Sequence, residues 1–117
     1  MSCILLIDDD ADMLTLTSRW LEKAGYEVVK ASSGNDALSC LEEKKPDLIL
    51  LDYAMPGMDG PAVLTSIREI DEYKNIPVYY RTGMDDTNIT AEPAADGVIP
   101  KSEGKPYLMK AVADALN

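Results

Sequence analysis

The sequence predicts an α/β fold: a doubly wound, five-stranded parallel sheet with helices on both faces. Three observations predict it. Short, continuously apolar runs alternate with stretches of helical periodicity. Short connections rich in turn and capping residues join them. Acidic, hydroxyl and basic side chains fall at the carboxyl ends of the runs, the edge where parallel sheets of this kind bind ligands.

Taken in order, residues 2–7 are an apolar run that stops at Asp8-Asp9-Asp10, as a strand buried on both faces would. Residues 11–24 carry Met13, Leu14, Leu16, Trp20 and Leu21 near helical spacing, and Gly25 stops that helix. Residues 27–31 read as the second strand. Ser32-Ser33-Gly34 supplies a turn and an N-cap, and residues 36–44 form a helix with Ala37, Leu38 and Leu41 on one face, ended by Pro46. The third strand spans 47–51 and is closed by Asp52. A loop follows over Met55–Gly60, and Pro61 suits the first turn of a helix carrying Val63, Leu64, Ile67 and Ile70. Residues 76–81 are the fourth strand. The stretch from Thr82 to Asp96 has few large apolar residues and Pro93 in its middle, which predicts a short or irregular fourth helix. Residues 97–100 are a short fifth strand, and 106–116 the last helix, with Leu108, Met109, Val112 and Leu116 inward.

At 117 residues the chain has the size of one domain over 1–117, with no room for a second effector domain of ordinary size. No apolar run approaches the ~20 residues of a membrane helix, and no secretory signal precedes the first acidic cluster, so the cytoplasm is the expected compartment. Eleven basic against twenty-one acidic residues leave a formal charge of −10, which disfavours direct binding to nucleic acid. Cys3 and Cys40 lie in different elements with no zinc spacing and read as reduced core thiols. With no histidine, the sequence holds no Ser–His–Asp or Cys–His site and cannot be a phosphohistidine donor.

Asp8 and Asp9 end the first strand, Asp52 the third, Thr82 the fourth and Lys101 the fifth. In the flavodoxin-like strand order, 2-1-3-4-5, strands one and three are neighbours, so the three acids converge. Two unit charges about 5 Å apart repel by roughly 3 kcal/mol at an effective dielectric near 20. A hard divalent cation offsets that directly, and Mg²⁺ takes oxygen ligands. A nucleophilic carboxylate, a metal, a hydroxyl and an ammonium make a complete phosphoryl-transfer site.

The strings Ile4-Leu5-Leu6-Ile7-Asp8-Asp9-Asp10, the segment from Asp47 through Asp52 to Gly60, Pro77 through Thr82-Gly83, and Asp96-Gly97-Val98-Ile99-Pro100-Lys101 together resemble the response-regulator receiver domains of two-component signalling, chemotaxis-Y-like, along essentially the whole chain. The resemblance implies that Asp52 is the phosphoacceptor, that Asp9 binds Mg²⁺ (or Mn²⁺) directly and Asp8 directly or through water, and that the Ala54 carbonyl is a further ligand. Thr82 and Lys101 then bind the phosphoryl group, and Gly83 leaves room for it. The implied partners are a sensor histidine kinase or phosphotransfer protein and a downstream protein target.

The chain departs from the family in its switch region. Val98 stands where many members carry an aromatic residue; Tyr79, Tyr80 and Tyr107 are read as core or surface tyrosines, with substitution of one of them for that switch as the alternative. Ser102 follows Lys101 where proline is usual, and Lys105-Pro106 offers a second candidate; Lys101 keeps the last helix in register and is preferred. Arg81 replaces an apolar residue and points to solvent or binds an anion or a partner carboxylate. Ala54 and Met84 cannot orient a water by a side-chain hydrogen bond, which predicts slow self-dephosphorylation. A haloacid-dehalogenase-type phosphatase would need a second aspartate where Ala54 stands, and no Gly-rich phosphate loop is present. The remaining alternative is a degenerate receiver that binds proteins independently of phosphorylation.

Overall fold

The structure, a computed structural model, describes residues 2–53, 59–82 and 95–116. Five parallel strands form one sheet: β1 (Cys3–Ile7), β2 (Glu27–Ala31), β3 (Leu48–Asp52), β4 (Val78–Thr82) and β5 (Gly97–Pro100), in the order β2-β1-β3-β4-β5. Helices α1 (Ala11–Lys23), α2 (Gly34–Glu43), α3 (Gly60–Arg68) and α4 (Gly104–Leu116) connect or follow them. A single 3₁₀ turn, Lys101–Glu103, joins β5 to α4. The expected fold class and strand order are those observed. The expectation of a reduced fourth helix falls on residues 83–94, outside the described residues.

Burial on both faces explains the continuous apolar runs. Leu5, Ile7, Ile49, Leu51, Val78 and Tyr80 pack on one side with Ala37 and Leu41 of α2 and Val63, Leu64 and Ile67 of α3. Ile4, Leu6, Leu48, Leu50 and Ile99 pack on the other with Leu21 of α1 and Leu108 and Val112 of α4. Side chains therefore alternate between two cores, as the two-residue period of a strand requires.

Local chemistry sets the helix ends. Asp10 caps α1, its Oδ1 accepting from the amides of Asp12 and Met13 at 3.0 and 3.2 Å. Gly25 takes φ +99°, the left-handed turn that a helix C-terminus favours. The Ser33 hydroxyl caps α2 and Asp59 caps α3, each through one amide at 3.1 Å. At the amino edge of the sheet, Arg68 donates to the carbonyls of Lys74 and Ile76 and to Asp96 Oδ2. Asp96 Oδ2 also accepts from the Val78 amide at 2.8 Å, so one carboxylate fixes the starts of β4 and β5.

Two sequence expectations need correction. Leu16 is exposed rather than inward, because the buried stripe of α1 runs through Leu14, Thr17, Ser18 and Leu21. Ile70 lies beyond the end of α3 and is also exposed. Cys3 is buried, Cys40 is half-buried, and both are free thiols; burial raises the pKa of each. Among the described residues no helix is long and apolar enough to cross a membrane.

Candidate functional site

The chemically capable side chains converge where the topology requires. Asp8 immediately follows β1, Asp52 ends β3, and β1 and β3 are paired through Ile7 and Leu51. Asp8 is anchored by its own backbone, its N–H donating to the Ala31 carbonyl at 3.1 Å, and its Oδ1 accepts from the Asp10 amide at 2.9 Å. Asp8 and Asp52 are buried and Asp9 is exposed, and carboxylate oxygens of all three lie within 4.8 Å of one another.

One cation sits among them. Lys101 Nζ lies 3.2 Å from Asp8 Oδ2 and 3.4 Å from Asp52 Oδ1, and its side chain is largely buried. The approach to Asp8 Oδ2 is an ion pair by distance without a directed hydrogen bond, so that buried oxygen has no hydrogen-bond partner. Burial and the Asp8 charge raise the Asp52 carboxyl to about 7 against the pull of Lys101, and hydrogen bonding with Asp9 and Asp8 adds to the rise. Two carboxylates on one ammonium leave the pocket short of positive charge.

Backbone packing holds Asp52 in place. The Tyr53 amide donates to the Arg81 carbonyl, and the Gly60 amide donates to the Tyr53 carbonyl, both at 2.9 Å. A Cβ on Gly60 would lie 2.8 Å from the Asp52 carbonyl oxygen, so α3 can begin this close to the end of β3 only with glycine there. The Tyr53 ring meets Tyr80 edge to face at 5.1 Å.

Residues 4–113 match the response regulator receiver domain. The chain belongs to that family. As a receiver domain of two-component signalling it is a phosphorylation-dependent switch of a phosphoacceptor family. It is 38% identical over 101 residues to the transcriptional regulatory protein PrrA of Mycobacterium bovis, covering 84% of this chain and 42% of that protein. The chain thus spans less than half the length of that relative. It is 33% identical over 113 residues to sporulation initiation phosphotransferase F of Bacillus subtilis, covering 97% of this chain and 89% of that one. Response regulator TrrA from Thermotoga maritima, solved in complex with Mg²⁺ and BeF, superposes with a TM-score of 0.87 at 30% identity, over 99% of this chain and 100% of that one.

The receiver's donor set suits a hard divalent cation. It offers carboxylate oxygens only, an excess of negative charge, and a buried oxygen of Asp8 with no directed donor. Of the residues singled out in the sequence, Asp8, Asp9, Asp52 and Lys101 are gathered here. Thr82, buried, ends β4 beside Asp52's strand. Ala54, Gly83 and Met84 lie outside the described residues. Asp10 is not part of the cluster, because its carboxylate is occupied as the α1 cap. Tyr80 is buried in the core, the Tyr79 ring packs over Gly97, and Tyr107 is exposed.

Arg81 corrects a sequence expectation. It does not point to solvent: it is 3% exposed, with Nη1 donating to Thr17 Oγ1 of α1 at 3.0 Å. Strand alternation was the available signal, since it puts residue 81 on the same face as the packed Tyr79. Gly60 was legible merely as loop composition, since its close contact depends on where two distant segments meet.

Proposed function

We propose that Asp52 accepts a phosphoryl group from the phosphohistidine of a sensor histidine kinase or phosphotransfer protein. An Asp52 oxygen attacks phosphorus in line, the P–N bond breaks, and the imidazole leaves with its electron pair. Asp8, Asp9 and Asp52, with the Ala54 carbonyl, would hold Mg²⁺ (or Mn²⁺), which when bound supplies charge for the anionic phosphoryl oxygens. Lys101 provides a second positive charge, and the Thr82 hydroxyl donates to a phosphoryl oxygen. In this way the domain assists its own phosphorylation and dephosphorylation.

The observation that carries this reading is the position of Lys101 Nζ between Asp8 and Asp52, at 3.2 and 3.4 Å. An ammonium so placed neutralises the acids at rest and is at hand when Asp52 gains oxygens and charge. Thr82 and Lys101 then shift toward the new group and bias a two-state equilibrium of the surrounding loops. A downstream protein, or another part of a longer chain, reads the altered surface; nucleic acid and membrane are not direct partners. With the apolar side chains of Ala54 and Met84 two positions after Asp52 and Thr82 in the sequence, self-dephosphorylation is slow.

Intact mass after incubation with acetyl phosphate or phosphoramidate, with and without Mg²⁺, tests the reading in wild type and Asp52→Asn. A metal-dependent gain of one phosphoryl group, absent from the variant, is expected. A folded wild type that gains nothing from either donor or from phosphorylated kinases would favour a phosphorylation-independent binding module. Replacing Ala54 by a polar residue should shorten the phosphoryl lifetime; an unchanged decay would count against slow self-dephosphorylation.

A further inference from the structure

The phosphoacceptor chemistry does not use Arg81, yet Arg81 is paired with Asp52 in the β3–β4 register. Its Nη1 is bonded to Thr17, while its buried Nε has no hydrogen-bond partner. Arg81 joins none of the ion pairs among the described residues. Burial works against its charge, and the nearby carboxylates of Asp8 and Asp52 support it. A buried guanidinium that joins no ion pair is stabilised by the field of that pocket, so its preferred position depends on the pocket's charge. An N–H left unused in the interior costs stability and asks for a state in which it is used. Phosphorylation would supply that state, adding negative charge and strong acceptor oxygens that a planar donor fork matches.

The other end of the contact is equally specific. Thr17 is fully buried within α1. Its neighbour Ser18 is already committed, donating to the Thr15 carbonyl at 2.9 Å. The Arg81–Thr17 bond is thus a polar tie between β4 and the middle of α1, set beside the apolar residues Leu14 and Leu21.

We propose that Arg81 couples the acidic pocket to helix α1: charge added at Asp52 draws the guanidinium off Thr17 Oγ1, and the Nε–H turns to the new phosphoryl oxygens. Helix α1 then reports phosphorylation through loss of its buried tie. This rests on Asp52 being the phosphoacceptor. Arg81 acts here as a positioning residue for α1.

Amide hydrogen exchange across α1, with and without Mg²⁺ and beryllium fluoride (which stands for the phosphoryl group), tests the coupling in wild type, Thr17→Val and Arg81→Met. Intact mass after phosphoramidate treatment runs in parallel. Loading should speed exchange in wild-type α1 several-fold, and each variant should lose at least half of that difference. A merely structural role would change exchange equally in both states and leave the difference intact. Thr17→Val keeps the side-chain shape, so it carries the test if Arg81→Met fails to fold. A wild type that gains the phosphoryl mass without an α1 response, or a folded variant that keeps the full response, overturns the coupling alone. A folded wild type with no mass gain from phosphoramidate, acetyl phosphate or phosphorylated kinases overturns the phosphoacceptor reading and the coupling with it.

Discussion

Burial and the Asp8 carboxylate push Asp52 up to about 7, against the pull of Lys101. Its folded-state pKa therefore lies above the unfolded value of about 4, and the native state binds the proton more tightly. That stabilisation is fully present below about pH 4 and is lost as pH rises through about 7. Without metal, the wild type should thus lose stability between about pH 5 and about pH 8, while Asp52→Asn should vary less. At about pH 8 the variant should be the more stable by ~1–3 kcal/mol. Thermal melts in chelator across that range check both statements; a wild type that melts higher at the alkaline end, or a variant with the same slope, refutes them. The acids and Lys101 were legible because strand ends are visible as abrupt changes from apolar to charged residues. Arg81 was not, because a charged residue near a strand end ordinarily reaches water. Its burial follows from Thr17, which lies 64 positions away in sequence.

Helix α1 shows how an element can be placed correctly and its face misjudged. Its buried stripe, Leu14, Thr17, Ser18 and Leu21, has the expected i, i+3, i+4, i+7 spacing, but two of the four positions are polar. Hydrophobic periodicity therefore located the helix and turned it toward Leu16. Asp10 follows Asp8 and Asp9 in the same acidic run, and its capping role follows from the backbone at Asp12 and Met13. Asp10→Ala should cost ~1 kcal/mol of stability. That loss should appear in denaturant midpoints without changing phosphoryl uptake; loss of uptake at full stability would give Asp10 a role in the site. The start of α3 is more tightly constrained. A methyl group on Gly60 would meet the Asp52 carbonyl at 2.8 Å and the Tyr53 backbone at 2.9 Å, atoms that cannot move without shifting β3. Gly60→Ala should destabilise by ~1–3 kcal/mol and, with Asp52 as the proposed acceptor, slow phosphorylation by displacing it. Chemical denaturation and the initial rate of mass gain would show both effects; a fully stable, fully active variant would mean that α3 slides freely.

The molecule as a whole is a negatively charged body with its most conflicted charges gathered at one sheet edge. Its net charge of −10 concentrates cations nonspecifically, so any stabilisation by Mg²⁺ has to be separated from general screening. Asp9 makes that separation possible. It is exposed, unlike Asp8 and Asp52, and its carboxylate completes the cluster from outside the core. Asp9→Asn should therefore leave stability in chelator within ~0.5 kcal/mol of the wild type. A ligand held at ~100 times its Kd stabilises the native state by ~2.7 kcal/mol, so a bound Mg²⁺ should raise the wild-type Tm by several degrees. The Asp9→Asn variant should need a roughly tenfold higher concentration for the same rise, about 1.4 kcal/mol of binding. Because the metal competes with the Asp52 proton, the wild-type rise should also be greater at about pH 8 than at about pH 6. Melts against Mg²⁺ concentration at constant ionic strength, with Na⁺ as the control, distinguish a site from an atmosphere. If Na⁺ at matched ionic strength reproduces the rise, or Asp9→Asn responds like the wild type, the three carboxylates do not act as one metal site.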